Sequence, residues 1–186
     1  MNFCSHCGNP VYLTIPAGDN RPRYVCQNCA TIHYQNPRII AGCLPLYGDQ
    51  VLLCRRAIEP RRGLWTLPAG FMENGESTRE AALRETWEEA CAEVELDALH
   101  TLTSIRPINQ VQMIYRARLL EPRFAAGEES LEVRLFHEHE IPWDTLAFQT
   151  IRTALTLFFE DRRRGDFQLH HLDLDGPQPR PISPHS

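Results

Sequence analysis

Residues 70–91 read GFMENGESTREAALRETWEEAC, and the interpretation of the whole chain starts from this stretch. On a helix, Glu85, Glu88 and Glu89 fall within about 100° of arc and share one face. Carboxylates one turn apart repel by roughly 0.2–0.5 kcal/mol, and the carboxyl-terminal half of a helix also disfavours anions. This face therefore needs an opposing positive charge, which a divalent cation with oxygen ligands would supply.

The helix should begin at a capping box, the sequence STRE at residues 77–80. The Ser77 hydroxyl can accept from the backbone N–H of Glu80, whose side chain reaches back to the backbone of Ser77. We therefore expect a helix from about Thr78 to Ala92. Three residues of this helix are expected to lie opposite the glutamates and pack on a sheet: Leu83, Trp87 and Ala90.

A solvated glutamate-rich face is the alternative, with Arg84 pairing with Glu80 or Glu88 one turn away. The loop before the helix favours the metal site. Gly70 ends a strand-like segment, and a glycine permits close backbone approach, so that its carbonyl can join a metal site.

From Gly70 to Ala92 the chain resembles the Nudix box: Gly, five residues, Glu, seven residues, Arg-Glu, two residues, Glu-Glu. Cys91 departs from the family, which usually has glycine at this helix end, so the local exit geometry is left open. The resemblance implies an α/β/α sandwich around a mixed sheet, and hydrolysis of a nucleoside diphosphate linked to another moiety. The matching positions are Gly70, Glu76, Arg84, Glu85, Glu88 and Glu89.

Position by position, the resemblance implies that Glu85, Glu88 and Glu89 bind Mg²⁺ or Mn²⁺, assisted by the Gly70 carbonyl. Arg84 would orient the glutamates, and Glu76 would support the loop or a ligating carboxylate. Metal ions withdraw charge from a pyrophosphate and lower the pKa of a bound water, and a carboxylate can then take the proton. The base would be a box glutamate or one in AAGEES, residues 125–130. In that loop the candidates are Glu128 and Glu129, and Glu129 is our predicted catalytic residue.

Four cysteines predict a second, structural metal site. They form CSHC at residues 4–7 and CQNC at residues 26–29, the spacing of a four-thiolate zinc site. Disulfides are the alternative, and the absence of a secretory pattern argues against them. Four sulfurs close the coordination shell, so this Zn²⁺ should hold structure and not catalyse. The predicted ligands are Cys4, Cys7, Cys26 and Cys29.

Composition limits the partners. The 186 residues include no membrane-length apolar run, and the formal charge is −5, so non-specific binding to nucleic acid or an anionic membrane is not favoured. We therefore expect a cytoplasmic protein. All 19 basic side chains are Arg, which suits phosphate contacts. The predicted substrate-binding residues are Arg55, Arg56 and Arg62.

Strands mixed with two helices predict an α/β or α+β domain. We expect a zinc ribbon at 1–34, a hydrolase domain at 35–175 and a disordered Pro-rich tail at 176–186. Further elements are expected as strands at 39–47, 50–56, 94–105, 111–120, 131–136 and 167–174, and a second helix at 145–164.

Ribbon and box together resemble zinc-ribbon Nudix hydrolases, which include NADH pyrophosphatases and a group acting on ADP-ribose and FAD. The Ser-Gln-Pro-Trp-Pro-Phe-Pro signature of the NADH enzymes is absent from TSIRPINQVQMIY at residues 103–115. We therefore expect release of AMP from ADP-ribose or FAD by a homodimer, with NADH or NAD as the alternative substrate. Outside this class, a nucleic-acid or protein-binding adaptor and a nucleotide sensor without turnover stay open.

Overall fold

The computed structural model describes residues 1–176, and these form two compact units, Met1–Pro37 and a second unit that begins at Arg38. The domain boundaries expected above remain predictions. All of the expected disordered tail except Gly176 lies outside the described residues. Within residues 1–176, no helix is long and apolar enough to cross a membrane.

The first unit is a three-stranded antiparallel sheet in the order β1-β2-β3. Each strand is short, and two-residue β3 pairs with the two central residues of β2, Tyr24 and Val25. The strands are β1 (Val11–Thr14), β2 (Arg23–Cys26) and β3 (Ile32–His33).

The second unit contains a mixed eight-stranded sheet, in which six strands follow the order β10-β5-β4-β9-β8-β11. The pairs β4–β9 and β8–β11 are parallel and the others are antiparallel. Two short strands stand off this path, β6 on β5 and β7 on β4. The strands are β4 (Arg38–Tyr47), β5 (Gln50–Arg56), β6 (Trp65–Thr66), β7 (Ala69–Phe71), β8 (Val94–Ile105), β9 (Gln110–Leu119), β10 (Ser130–Phe136) and β11 (His170–Leu174).

Two helices cover opposite faces of this sheet, as the alternation along β4 shows. Cys43 packs with Ala81 of helix α1 (Thr78–Ala90), whereas its neighbour Leu44 packs with Ile151 of helix α2 (Gln149–Arg164). Successive side chains of a strand point to opposite faces, so one buried strand serves two cores. The predicted α/β sandwich is confirmed.

Helix α1 begins as its sequence predicts. Ser77 accepts from the Glu80 backbone, and the Glu80 side chain accepts from the Ser77 backbone, so the capping box is complete. The helix ends at Ala90, two residues before the expected Ala92, and Cys91 then adopts the left-handed conformation at φ 46° while its N–H donates to the Trp87 carbonyl. Cys91 therefore keeps the geometry that a glycine would have at this exit.

The expectation about which face of α1 packs on the sheet is wrong for two of three residues. Leu83 is 39% exposed and Trp87 is 53% exposed, whereas Ala90 is buried as expected. The face that meets the sheet carries small residues and one glutamate, because the carboxylates lie between helix and sheet. The buried residues are Ala81, Ala82, Thr86, Glu89 and Ala90.

The second helix is shorter than predicted at its start. It begins at Gln149, and of the residues predicted before that point only Thr145 is helical, as the last residue of a separate 3₁₀ turn, Trp143–Thr145. Its end agrees with the sequence, since Gly165 takes φ 70° and its N–H donates back to the helix. The remaining strands agree with the expected ranges, except that the strand predicted to begin at residue 167 begins at His170.

We predict that Cys91→Gly is more stable than Cys91→Ala by about 1 kcal/mol, because both remove the thiol and only glycine relieves the left-handed backbone. Urea unfolding followed by tryptophan fluorescence measures this, since all three tryptophans lie in the second unit. Equal stability of the two variants would contradict the left-handed conformation at this position.

Candidate active site and zinc site

Arg84 is hydrogen-bonded to three glutamates of the candidate active site. Its Nε donates to Glu76 Oε1 at 2.6 Å, and its Nη1 donates to Glu85 Oε1 at 2.7 Å and to Glu88 Oε2 at 2.9 Å. Its Nη2 donates to the Phe71 carbonyl at 3.0 Å. The planar guanidinium thus ties the loop before α1 to the glutamate face of the helix.

The charge of Arg84 fixes the ionisation of Glu76. Hydrogen bonds from Arg84 and from the Glu73 backbone N–H lower the pKa of Glu76 to about 2. Glu76 therefore stays a carboxylate at neutral pH, bonded to the loop and to Arg84. The supporting role expected of Glu76 stays a prediction.

Gly70 lies against the carboxylate of Glu85. A Cβ at Gly70 would come within 2.3 Å of Glu85 Oε2, so the missing side chain is what makes room for this carboxyl group. Burial raises the pKa of Glu85 above its usual value, although the hydrogen bond from Arg84 opposes the shift. The role of the Gly70 carbonyl as a metal ligand stays a prediction.

Glu89 is the most deeply buried acid of the box, with 6% of its surface exposed. Its Oε2 accepts from the Ala69 backbone N–H at 3.3 Å. Burial and the neighbouring charge of Glu85 raise the pKa of Glu89 to about 8, and the charge of Arg56 opposes this. A buried carboxyl group with so little compensation requires a proton or a cation.

Glu88 differs from the other two, since its side chain is half exposed and turned toward Arg84. Within residues 1–176, the box glutamates are not among the groups of three metal-ligating side chains whose ligand atoms lie within 4.8 Å. The fold thus brings the three glutamates to one site, and Arg84 holds Glu88 away from complete convergence.

The loop between β9 and β10 packs against the end of α1. The Gly127 N–H donates to the Glu89 carbonyl at 3.1 Å, and a Cβ at Gly127 would overlap the Glu88 carbonyl. Glu129 lies two residues further along this loop, and its charge contributes to the raised pKa of both Glu85 and Glu89. Glu129 is exposed and adjacent to the box, which is where a base drawn from the later loop must be.

The predicted substrate-binding arginines occupy different positions. Arg56 lies close enough to influence Glu89, and its guanidinium stacks over the Phe148 ring at 5.3 Å. Arg55 donates to the Gly63 carbonyl and faces Glu132 at 3.7 Å, on the strand face away from Arg56. Arg62 is exposed. Of the three, Arg56 has the position that suits a phosphate beside the glutamates.

The donors at this site fit Mg²⁺ or Mn²⁺. Every candidate ligand is an oxygen, as hard cations require. Negative charge exceeds positive charge, since five carboxylates lie near two guanidinium groups, and one of the carboxylates is buried. The carboxylates in question are Glu76, Glu85, Glu88, Glu89 and Glu129.

The four predicted zinc cysteines converge in the first unit. All four sulfurs lie within 4.8 Å of one another, with Cys4 Sγ 3.6 Å from Cys29 Sγ and Cys7 Sγ 3.5 Å from Cys26 Sγ. Sulfurs around tetrahedral Zn²⁺ are about 3.8 Å apart, whereas a disulfide is about 2 Å long. The cluster is consistent with structural zinc, and all four thiols are free.

Two neighbours of the cysteines were not predicted to take part. His33 Nε2 lies 3.3 Å from Cys4 Sγ, and the Thr31 hydroxyl lies 3.1 Å from Cys29 Sγ. Such contacts orient and stabilise metal-bound thiolates. Neither is needed as a ligand, because the four sulfurs already complete the ligand set.

A third cluster was missed altogether. His100, Asp161 and His170 bring their ligand atoms within 4.8 Å of one another in the second unit. They come from β8, α2 and β11, so no short spacing in the sequence connects them. The one available signal was Asp161, a charge on the apolar side of an amphipathic helix.

Two family models match the chain. A zinc-ribbon model described as "Nudix N-terminal" covers residues 2–35, and the "NUDIX domain" model covers residues 36–158. The crystal structure of a NUDIX hydrolase from Nitrosomonas europaea is 53% identical, with a TM-score of 0.91 over 94% of this chain and 99% of that one.

Curated relatives match over a smaller share of their own length. The NAD-capped RNA hydrolase NudC of Edwardsiella ictaluri is 34% identical over 94 residues, which are 50% of this chain and 34% of that protein. The mouse mitochondrial NAD(P)H pyrophosphatase NUDT13 is 30% identical over 168 residues, which are 90% of this chain and 43% of that protein. The chain therefore spans less than half the length of these relatives.

We predict that Glu89 makes stability depend on pH when divalent cations are absent. Its folded pKa of about 8 exceeds the usual 4.5, so folding favours the protonated form. The stability that Glu89 contributes is then fully present below about pH 4.5 and is lost, on the order of a few kcal/mol, as pH rises through 8. Glu89→Gln should flatten this fall, and excess Mg²⁺ should reverse it in the wild-type protein.

Tryptophan-detected urea unfolding across this pH range is the measurement. Glu160→Gln is the matched control, since Glu160 is exposed on α2, and it should keep the wild-type profile. If Glu89→Gln also kept that profile, Glu89 would not be the buried acid described above.

We also predict that the first unit folds only around its metal. Its buried apolar cluster consists of Cys4, Val11 and Cys26, so metal ligands make up most of the core. Cys26→Ser should remove zinc and expose the backbone of β1–β3 to hydrogen exchange, while tryptophan fluorescence of the second unit stays unchanged. Retained protection in the zinc-free variant would contradict this.

Proposed function

This chain belongs to the NUDIX family, and on that premise we propose that it hydrolyses the pyrophosphate bond of an adenine dinucleotide, with release of AMP. The observation that carries the proposal is the set of hydrogen bonds that Arg84 donates to the carboxylates. It holds Glu76, Glu85 and Glu88 beside Glu89, whose buried carboxyl group lies at the backbone of β7. A solvated glutamate face would not bury Glu89 against the sheet.

The position of each residue suggests its role in the hydrolysis. Glu85, Glu88 and Glu89 would hold Mg²⁺ or Mn²⁺, which supplies charge withdrawal from the pyrophosphate and a more acidic water. Arg56 would contact a phosphate oxygen by a charge-assisted hydrogen bond. Glu129 would accept the proton as water attacks phosphorus and the bond to the bridging oxygen breaks. Arg84 would hold the glutamates in place and touch no substrate.

NAD or NADH is the substrate that the relatives support best. The mouse NAD(P)H pyrophosphatase matches along 90% of this chain, and the NudC relatives are named for a cap that contains NAD. ADP-ribose and FAD are the second candidates, because the signature of the NADH enzymes is absent from residues 103–115. In its place, Pro107 lies in a 3₁₀ turn, Arg106–Ile108, that joins β8 to β9.

Two functions of other classes make different predictions. An adaptor for nucleic acid would bind RNA with a strong salt dependence and no turnover, and a sensor would bind dinucleotides without cleaving them. The buried acidic groups and the net charge of −5 favour the hydrolase over both.

We predict that the Glu88→Gln and Glu89→Gln double variant loses dinucleotide hydrolysis by about 10³-fold, because metal binding contributes several kcal/mol to such reactions. The measurement is chromatographic detection of AMP with Mg²⁺ or Mn²⁺ present. Glu160→Gln serves as the control, and tryptophan fluorescence verifies folding. Wild-type rates in the folded double variant would overturn the site assignment.

A substrate panel tests the finer proposal in the same assay. It compares NADH, NAD, ADP-ribose, FAD and an NAD-capped oligoribonucleotide by kcat/KM. The nicotinamide dinucleotides should be cleaved most efficiently, with nicotinamide mononucleotide as the second product. Preference for ADP-ribose or FAD would refute this order while leaving pyrophosphate hydrolysis intact.

A further inference from the structure

A β-bulge in β8 turns His100 into the interior. Pairing with β9 shifts register between Leu99 and Thr101, so His100 has no partner across the ladder. His100 and Thr101 are consequently both buried, although neighbours in a regular strand point to opposite faces. Bulges often redirect a side chain in this way.

The hydrogen bonds of His100 leave one ring nitrogen without a partner. Its Nε2 lies 3.0 Å from the Ala154 carbonyl, which only a protonated nitrogen can bond. Burial lowers the pKa of His100, so the ring is neutral and Nδ1 carries a free lone pair. Nδ1 is buried and has no hydrogen-bond partner.

Nδ1 lies near a buried carboxylate. Asp161 is fully buried in the last turn of α2, and its Oδ2 lies 4.0 Å from His100 Nδ1 and 2.8 Å from His170 Nε2. Two electron-rich atoms therefore face each other with no donor between them, an arrangement that costs free energy unless a cation separates them.

We propose that His100, Asp161 and His170 form a second metal site, which binds a first-row transition metal ion of the Zn²⁺ type. Neighbouring N and O ligands of tetrahedral Zn²⁺ are about 3.3–3.4 Å apart. The observed separations of 2.8 and 4.0 Å lie on either side of that value, so shifts of less than about 1 Å would complete the geometry. The metal would displace the His170 proton that now bonds Asp161.

The surroundings resemble those of a histidine metal site. The Ala154 carbonyl holds the second nitrogen of His100, which fixes the tautomer in which Nδ1 can bind metal. Asp161 is likewise fixed, since Arg164 donates to its other oxygen. The charge of Arg164 opposes any cation, which selects ions that bond strongly to imidazole over Mg²⁺ or Ca²⁺.

Metal bound at this site would cross-link β11 to α2 and β8 in the second unit. His170 is the first residue of β11, which lies at the edge of the sheet and, among residues 1–176, pairs with β8 alone. Asp161 and His100 belong to the helix and strand beneath it. Metal binding would therefore stabilise β11 without touching the glutamate site, so the proposal does not depend on the proposed function.

Zinc content of the untagged full-length chain tests the proposal. Wild-type protein, His170→Gln and His171→Gln are equilibrated with buffered Zn²⁺ in excess Mg²⁺, which occupies the carboxylate site, and zinc is counted by mass spectrometry. His171 is the matched control, being adjacent on β11 and exposed. We expect His170→Gln to hold one zinc fewer than the other two proteins. Hydrogen exchange of β11 should be slowed by Zn²⁺ in wild-type protein and His171→Gln only.

The cysteine cluster contributes equally to all three proteins, so the difference isolates the second site. Tryptophan-detected unfolding verifies that His170→Gln is folded. Equal zinc content in the folded wild-type and His170→Gln proteins would overturn the proposal, and the cluster would then be a hydrogen-bonded contact only.

Discussion

The hydrogen bonds of Arg84 are the constraint on which the candidate active site depends. One planar group reaches the loop before α1, two glutamates of the helix and the backbone of β7. Lysine could not replace it, since an ammonium group lacks the fixed fork that serves several carboxylates at once. Without Arg84, the loop and the helix would have only like charges to present to each other.

Small residues allow this charged helix to lie close to the sheet. Alanines occupy the buried face of α1, and glycines stand where Glu85 and the helix backbone approach other segments. The carboxylates are thereby removed from water, which raises the pKa of Glu85 and Glu89. Burying these carboxylates lowers local stability, and it also creates a site that attracts cations.

Local signals in the sequence predicted the start of α1, the end of α2 and most strands. The capping box and Gly165 act within one turn, so their effects do not depend on distant parts of the chain. The face of α1 was mispredicted because ordinary amphipathicity places apolar residues inside, and Trp87 and Leu83 are outside. Function overrides that pattern here, since the polar face has to meet the sheet where substrate chemistry would take place.

Whether a contact is local in the sequence or made by distant residues also explains which metal-ligating groups a sequence can indicate. The cysteines come in pairs two residues apart, and the box glutamates lie on one helix, so spacing alone brings each set together. His100, Asp161 and His170 meet only through a bulge, a helix end and an edge strand that are 61 and 9 residues apart in the chain. The three sets also differ in the softness of their ligand atoms. The cysteines offer thiolates, the histidine cluster offers two imidazoles and one carboxylate, and the box glutamates offer oxygen alone. Ligand chemistry would therefore direct different ions to each set, even where all the metals are available together.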